Sequence, residues 1–288
     1  MDIKITAVKS FFWNHCAKVS DHVLAYIFSI LLVRKLSIDE FGLYVMIISI
    51  TTVFINFSSL GIDTLINKYV AQYNDKNNNI ESIRYMVRKS LFVRIIVSLI
   101  LSMLLFAFYQ FNMIDYGSVS EYLILIILFI FLQNILLFNA SLCQGLLDTK
   151  YVLIVNILSR SLNLFIGYII LFQGYGIHEL LLLLLFSSFF SCLLYLHNNK
   201  NYIFGSIKYE DVNPMVKFAL SAWIISILTF ILGKQADVIM INYYLNSKSQ
   251  IAYYEAAFSL SQALSYVFLI GLSGVSLAMF SKIAKNDL

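Results

Sequence analysis

Long apolar runs alternate with brief polar intervals along the whole chain. Residues 30–45, ILLVRKLSIDEFGLYV, hold the pattern in miniature: an apolar run stops, charges crowd into RKLSIDE, and the run resumes. A helix that crosses a bilayer needs about 20 mostly apolar residues. Read this way, the sequence predicts membrane helices over about 11–33, 41–65, 90–111, 121–143, 152–172, 177–196, 214–245 and 251–280. RKLSIDE is then the hairpin that turns the chain between the first two. The last two spans exceed the minimum length, which predicts tilt or extension past the lipid. The predicted fold class is all-α, a polytopic transmembrane helix bundle.

Composition agrees. The 288 residues are 60% hydrophobic and 12% charged, with a mean hydropathy of +0.81, against about 25% charged in soluble domains. Lipid must replace much of the water around such a surface. One side of the predicted map holds Lys4, Lys9, Lys68, Lys76, Arg84, Arg88, Lys89, Lys150, Lys200, Lys208, Lys282 and Lys285; the other holds Arg34, Lys35 and Lys248. That bias predicts both termini in the cytoplasm. It also makes NDKNNNIESIRYMVRK (74–89) an inner loop with an amphipathic stretch leading into the third span. The net charge of +4 fits topology control and not nucleic-acid binding. Cys16, Cys143 and Cys192 lie in or beside apolar runs, without metal-ligand spacing, and read as packing residues. The first apolar run carries Asn14, His15, Lys18, Asp21 and His22 with no small-residue cleavage pattern after it, unlike a removed signal peptide. With no soluble domain in view, function belongs to the bundle.

Several charges fall inside the spans or at their ends: Lys18, Arg94, Arg160, Lys217, Lys234, Asp21, Asp63, Asp237 and Glu255. A charge at the bilayer centre costs about 2.5–3.5 kcal/mol on insertion scales, so it usually faces a cavity or a partner. Helical spacing groups them. Asn14, Lys18, Asp21 and His22 form one stripe on the first span, where Lys18 can pair with Asp21. Thr52, Asn56, Ser59 and Asp63 form another on the second, and Asn156, Arg160, Asn163 and Gly167 a third on the fifth. Lys234 and Asp237 stand one turn apart on the seventh.

Plainer readings stand beside these. Lys18 and Asp21 fit a snorkelling role at the mouth of the first span. Asp63, Arg94, Lys217 and Glu255 fit interfacial positions, and Lys234 with Asp237 fits a structural ion pair. Arg160 sits too deep to snorkel easily. The histidines lack a matching ligand set, so no metal site is expected. Gly271, Gly274 and Ala278 suit helix packing. No phosphate loop, nucleophile elbow or acidic metal motif is present, so neither an enzyme nor a cofactor is expected.

Two stretches carry a resemblance. LLVRKLSIDEFGLYVMIISI with FSSLGIDTLINKYVAQY is similar to the opening of the polysaccharide transporter family. There an acidic-Phe-Gly-Leu-Tyr element opens span two, and a Leu-Gly-Ile-Asp element with a later aromatic-Val-Ala closes it. Here these are Glu40, Phe41, Gly42, Leu43 and Tyr44, then Leu60, Gly61, Ile62 and Asp63, then Lys68, Tyr69, Val70 and Ala71. GKQADVIMINYYLNSKSQIAYYEAAFSLSQAL resembles the family's seventh and eighth spans, with Lys234 and Asp237 as its basic–acidic pair and Tyr253, Tyr254, Ala256 and Ala257 in its tyrosine–alanine element. Ile251 and Ala252 stand where the family has a Gly.

The resemblance implies two six-helix lobes around a central cavity and a flippase for polyprenyl-diphosphate-linked oligosaccharide units, serving O-antigen, capsule or exopolysaccharide synthesis at the bacterial inner membrane. On this reading 1–205 is a complete first lobe and 206–288 the first part of a second, so the chain is expected to be truncated or completed by another copy. Lys18, Arg160 and Lys234 would offset diphosphate charge. Asn56, Asn156 and Asn163 would bind sugar hydroxyls, and Asp21, Asp63 or Asp237 would take a coupling ion or form ion pairs. Expected partners are lipid-linked oligosaccharide, membrane lipid and other polysaccharide assembly proteins. The rival readings are a drug or cation exporter of the same superfamily, whose cavity should favour acids, and a membrane enzyme of glycan assembly.

Overall fold

A computed structural model describes residues 3–75, 80–110, 117–209 and 213–269. These form α1 (Ile3–Lys35), α2 (Ile38–Ser59), α3 (Ile62–Asp75), α4 (Ile80–Gln110), a 3-10 turn (Gly117–Tyr122), α5 (Leu123–Gly145), α6 (Thr149–Phe172), α7 (Ile177–Ile203), α8 (Asn213–Ile231), α9 (Lys234–Leu245) and α10 (Lys248–Leu269). Six helical spans are long and apolar enough to cross a membrane, and the bent pair α8–α9 supplies a seventh among the described residues. The chain is a multi-pass membrane helix bundle. The expected eighth span, 251–280, is described only as far as Leu269, and Gly271, Gly274 and Ala278 lie outside the described residues.

RKLSIDEFGLY folds as its residue types dictate. Arg34 and Lys35 close α1, where cations complement the exposed carbonyls of a helix C-terminus. Ser37 then caps α2 in a reciprocal box. Its hydroxyl oxygen accepts from the Glu40 N–H at 3.3 Å, and a Glu40 carboxylate oxygen accepts from the Ser37 N–H at 3.0 Å. Two turns are thereby joined by a minimal connection. Gly42 follows because α10 begins against it: a Cβ there would meet the Lys248 carbonyl oxygen at 2.0 Å. The family-like element is thus a cap followed by a close helix crossing.

The expected span 41–65 ends earlier. Leu60 and Gly61 take left-handed backbone angles (φ 45° and 69°), which stop α2 and start α3 in a new direction. Gly61 also lies against the Ala219 carbonyl of α8, where an added Cβ would stand 2.0 Å away. The apolar run hides this break because hydropathy does not register backbone sign. In the same way, the expected span 214–245 is two helices bent by 49° at Leu232–Gly233.

α2 is the pivot of the packing. It touches α5 on one side and α8, α9 and α10 on the other, while α1 lies along α6 and α5 along α7. One core cluster joins Leu32, Phe41, Ile47, Ile126, Ile130, Leu180, Val238 and Ile251 from both sides of α2. A second joins Ile66, Val70, Ile83, Met86, Phe138 and Leu142 around α3, α4 and α5. At the basic end of the bundle α4 grips the chain leaving α7: Arg84 donates to the Asn201 carbonyl at 2.7 Å and Arg88 to the Gly205 carbonyl at 2.8 Å.

Candidate functional site

Between α1, α2, α5, α6 and α7 lies a cavity of about 730 Å³. Each helix contributes a polar stripe. α1 supplies Asn14, Lys18, Asp21 and His22, α2 supplies Tyr44, Thr51 and Thr52, and α6 supplies Asn156, Ser159, Arg160 and Asn163. α5 adds Gln133 and Gln144, and α7 adds Ser187, Ser188, Ser191 and Tyr195.

Arg160 and Asp21 meet on its wall. The guanidinium Nε donates to Asp21 Oδ1 at 2.6 Å and Nη2 to Oδ2 at 3.2 Å, a two-point clasp. The sequence expectation paired Asp21 with Lys18. The structure gives Asp21 to Arg160 because α1 and α6 run side by side and the planar fork matches a carboxylate at two points. Both side chains remain partly accessible, 37% for Arg160 and 27% for Asp21, so the pair borders the cavity and is not entombed. Counting lining residues with His22 neutral, Lys18 and Arg160 against Asp21 leave a formal charge of one positive.

The rest of the lining is neutral and rich in acceptors. Ser188 and Ser191 donate to carbonyls one turn back at 2.7 and 2.8 Å, and Thr51 and Thr52 do the same at 2.7 and 2.8 Å. Their donors are used locally, and Ser188 Oγ also accepts from Gln133 Nε2 at 2.9 Å, which leaves lone pairs of Ser191, Thr51 and Thr52 for a ligand. Both polar atoms of the Asn14 side chain, Asn163 Oδ1 and the Tyr195 hydroxyl are buried without a hydrogen-bond partner among the described residues. Buried polar groups are costly unless paired, so these atoms call for water or a hydroxylated ligand.

Of the residues singled out from sequence, Lys18, Asp21, Asn156, Arg160 and Asn163 come together here; Asn56, Asp63, Lys234 and Asp237 do not. Asp63, in the first turn of α3, pairs with Arg94 of α4. Arg94 is 1% exposed, enclosed by neighbouring helices, and it also donates to Asn134 Oδ1 at 3.0 Å. Ser58 donates to that oxygen at 2.7 Å, so the network ties α2, α3, α4 and α5 together at the Leu60–Gly61 break. Lys234 does not pair with Asp237. It donates to Glu255 of α10 at 2.9 Å, while Asp237 accepts from the Tyr254 hydroxyl. Glu255 is buried, and a buried carboxylate needs the cation more than an exposed one does.

Sequence reading missed Gln133, Ser187, Ser188, Ser191 and Tyr195. The signal existed: Ser187, Ser191 and Tyr195 recur every four residues within SSFFSCLLY, the same stripe test that groups α1 and α6. Among the described residues no three His, Cys, Asp or Glu side chains gather as a metal site would require.

The family model described as "Polysaccharide biosynthesis protein" matches residues 7–284. The chain belongs to this family. No curated protein matches it. Among solved structures, it is similar to a MOP superfamily transporter from Pyrococcus furiosus, described as having a binding pocket of reverse polarity that suggests a different function. Identity is 15% and the TM-score 0.65, over 98% of this chain and 64% of that one. The family member therefore shares that transporter's fold, and it spans somewhat under two thirds of its length.

Proposed function

We propose that this protein is a flippase for polyprenyl-diphosphate-linked oligosaccharide. The carrying observation is the cavity in which the Arg160–Asp21 clasp and Lys18 stand opposite a neutral wall of hydroxyls and carboxamides. A lipid-linked saccharide has those two chemistries, an anionic diphosphate and hydroxyl-rich sugars, while its tail can stay in lipid. Arg160 would exchange one partner for another, from Asp21 to phosphate, a trade between two charge-assisted bidentate interactions. Asn156, Asn163 and Asn14 would bind hydroxyls, and the released Asp21 would be available for a coupling proton or cation. Residues 1–205 would form the first lobe and 206–288 part of a second, joined through α2, with Lys234, Glu255, Asp237 and Tyr254 fastening α9 to α10. Both termini would face the cytoplasm of a bacterial inner membrane, with other polysaccharide assembly proteins as partners. The excess of cations over acids along the cavity favours this reading over export of cationic drugs.

The test is in cells that depend on this protein for surface polymer. Arg160→Ala should lower polymer about ten-fold or more at unchanged protein level, as loss of a charged hydrogen bond at about 1.5–3 kcal/mol implies. Arg160→Lys should be milder. Normal polymer in the Ala variant would return Arg160 to a structural role.

A further inference from the structure

A second pocket, of about 140 Å³, lies beside the end of α2, between α3, α4 and α8, and shares no lining residue with the cavity. Its wall is almost wholly apolar: Leu60, Ile62 and Leu65 from the break and α3, Met86 and Val93 from α4, and Val216, Ala219 and Leu220 from α8. Val93, Val216 and Leu220 are 37–45% exposed, so the pocket opens sideways from the bundle, where lipid lies. Among the described residues the only charged one lining it is Lys89, which is exposed and has no carboxylate partner there.

The surroundings are cationic as well. Lys68 sits 3.8 Å from the Phe218 ring centroid, and Arg84 and Arg88 donate to carbonyls in the last turn of α7 and just beyond it. Among the described residues nearby, Asp63 is paired with Arg94, and Glu81 accepts from the Ser206 hydroxyl at 2.7 Å. An apolar slot with a cation at its rim, set at the basic end of a membrane bundle, is the complement of an anionic lipid. The slot exists because the left-handed Leu60–Gly61 turn brings α8 against backbone and leaves a recess beside it.

We infer that this recess binds an anionic glycerophospholipid, one acyl chain between α3, α4 and α8 and its phosphate at Lys89. The site is separate from the Arg160 cavity, and the inference stands whether or not the flippase reading does. The bound lipid fills the joint where α8 meets the broken end of α2.

Trp223 lies one turn beyond Ala219 on α8, beside Gly61, and Trp13 is the other tryptophan of the chain. Trp13→Phe therefore leaves one reporter near the recess. The purified full chain with this change, placed in nanodiscs, is titrated with brominated phosphatidylglycerol or brominated phosphatidylcholine, and Trp223 quenching is followed. Phosphatidylglycerol should be preferred about five-fold, the effect of one well-placed cation. Lys89→Gln should abolish that preference, Lys89→Arg should keep it, and Val216→Phe should weaken quenching by both lipids. Near-ultraviolet circular dichroism checks that each variant is folded, and the conservative Lys89→Arg keeps the comparison available if one is not. Equal quenching by the two lipids in the parent, or an unchanged preference in Lys89→Gln, would overturn the inference. Displacement of the brominated lipid by stoichiometric undecaprenyl phosphate would overturn it too, by assigning the recess to a polyprenyl tail.

Discussion

Arg160 and Gly42 show how much a single residue carries. Depth in the sequence marked Arg160 as unusual, because an apolar helix does not hold a guanidinium at its centre without a reason. Its partner was not legible, since the pairing depends on which helix lies alongside. Asp21 reaches Arg160 only because α1 packs on α6. Gly42 carried a family resemblance in the sequence but no physical cause until α10 came into view. A Cβ at Gly42 would sit 2.0 Å from the Lys248 carbonyl oxygen. Gly42→Ala should therefore push α10 away and cost about 1–3 kcal/mol or more, as overpacking does. Thermal unfolding in detergent, with the surface variant Ser221→Ala as control, measures it; an unchanged melting temperature would mean the crossing relaxes freely.

The helices themselves were largely visible in the hydropathy pattern, and their breaks were not. Spans over 11–33, 152–172 and 177–196 each fall within one helix, and 121–143 begins in the 3-10 turn and runs through α5, because composition over about 20 residues determines membrane helices well. The breaks at Leu60–Gly61 and Leu232–Gly233 depend on two residues each, inside windows whose mean composition still reads as one membrane span. What holds the first break is polar. Arg94, Asp63, Asn134 and Ser58 tie four helices there, with Arg94 almost wholly enclosed. Removing one partner of a buried pair costs about 3–5 kcal/mol. Arg94→Ala should therefore lower protein level and melting temperature strongly, and Arg94→Ala with Asp63→Ala should recover part of the loss. If the double variant is no better than the single one, the pair is not the source of the effect. Arg94, Asp63 and Glu255, read from the sequence as lying near span ends, take part in such ties, and sequence position does not reveal partners on other helices.

At the scale of the whole molecule, basic residues gather at one end, where α4 grips the chain leaving α7 and Lys68 covers Phe218. The positive-inside rule predicts that this end faces the cytoplasm. Reporter fusions after Asp75 and after Lys208 should report cytoplasm, and a fusion after Gly117 periplasm; a periplasmic signal after Asp75 would invert the map. The cavity also changes the picture of where substrate is held. The sequence distributed its candidates over both presumed lobes, whereas the helices gather Lys18, Asp21, Asn156, Arg160 and Asn163 within α1–α7 and set Lys234 and Asp237 apart. Local spacing shows which residues share a face, and only the packing shows which faces share a cavity.

The most direct test is transfer across a bilayer. The protein is reconstituted in liposomes carrying a fluorescent polyprenyl-diphosphate oligosaccharide in one leaflet, and a membrane-impermeant quencher reports the fraction that has crossed. The account predicts time-dependent loss of quencher access with the unaltered protein and a rate about ten-fold or more lower with Arg160→Ala, the loss expected for a charged hydrogen bond. Transfer by Arg160→Ala at the full rate, or none by the unaltered protein under any proton or sodium gradient, would contradict it.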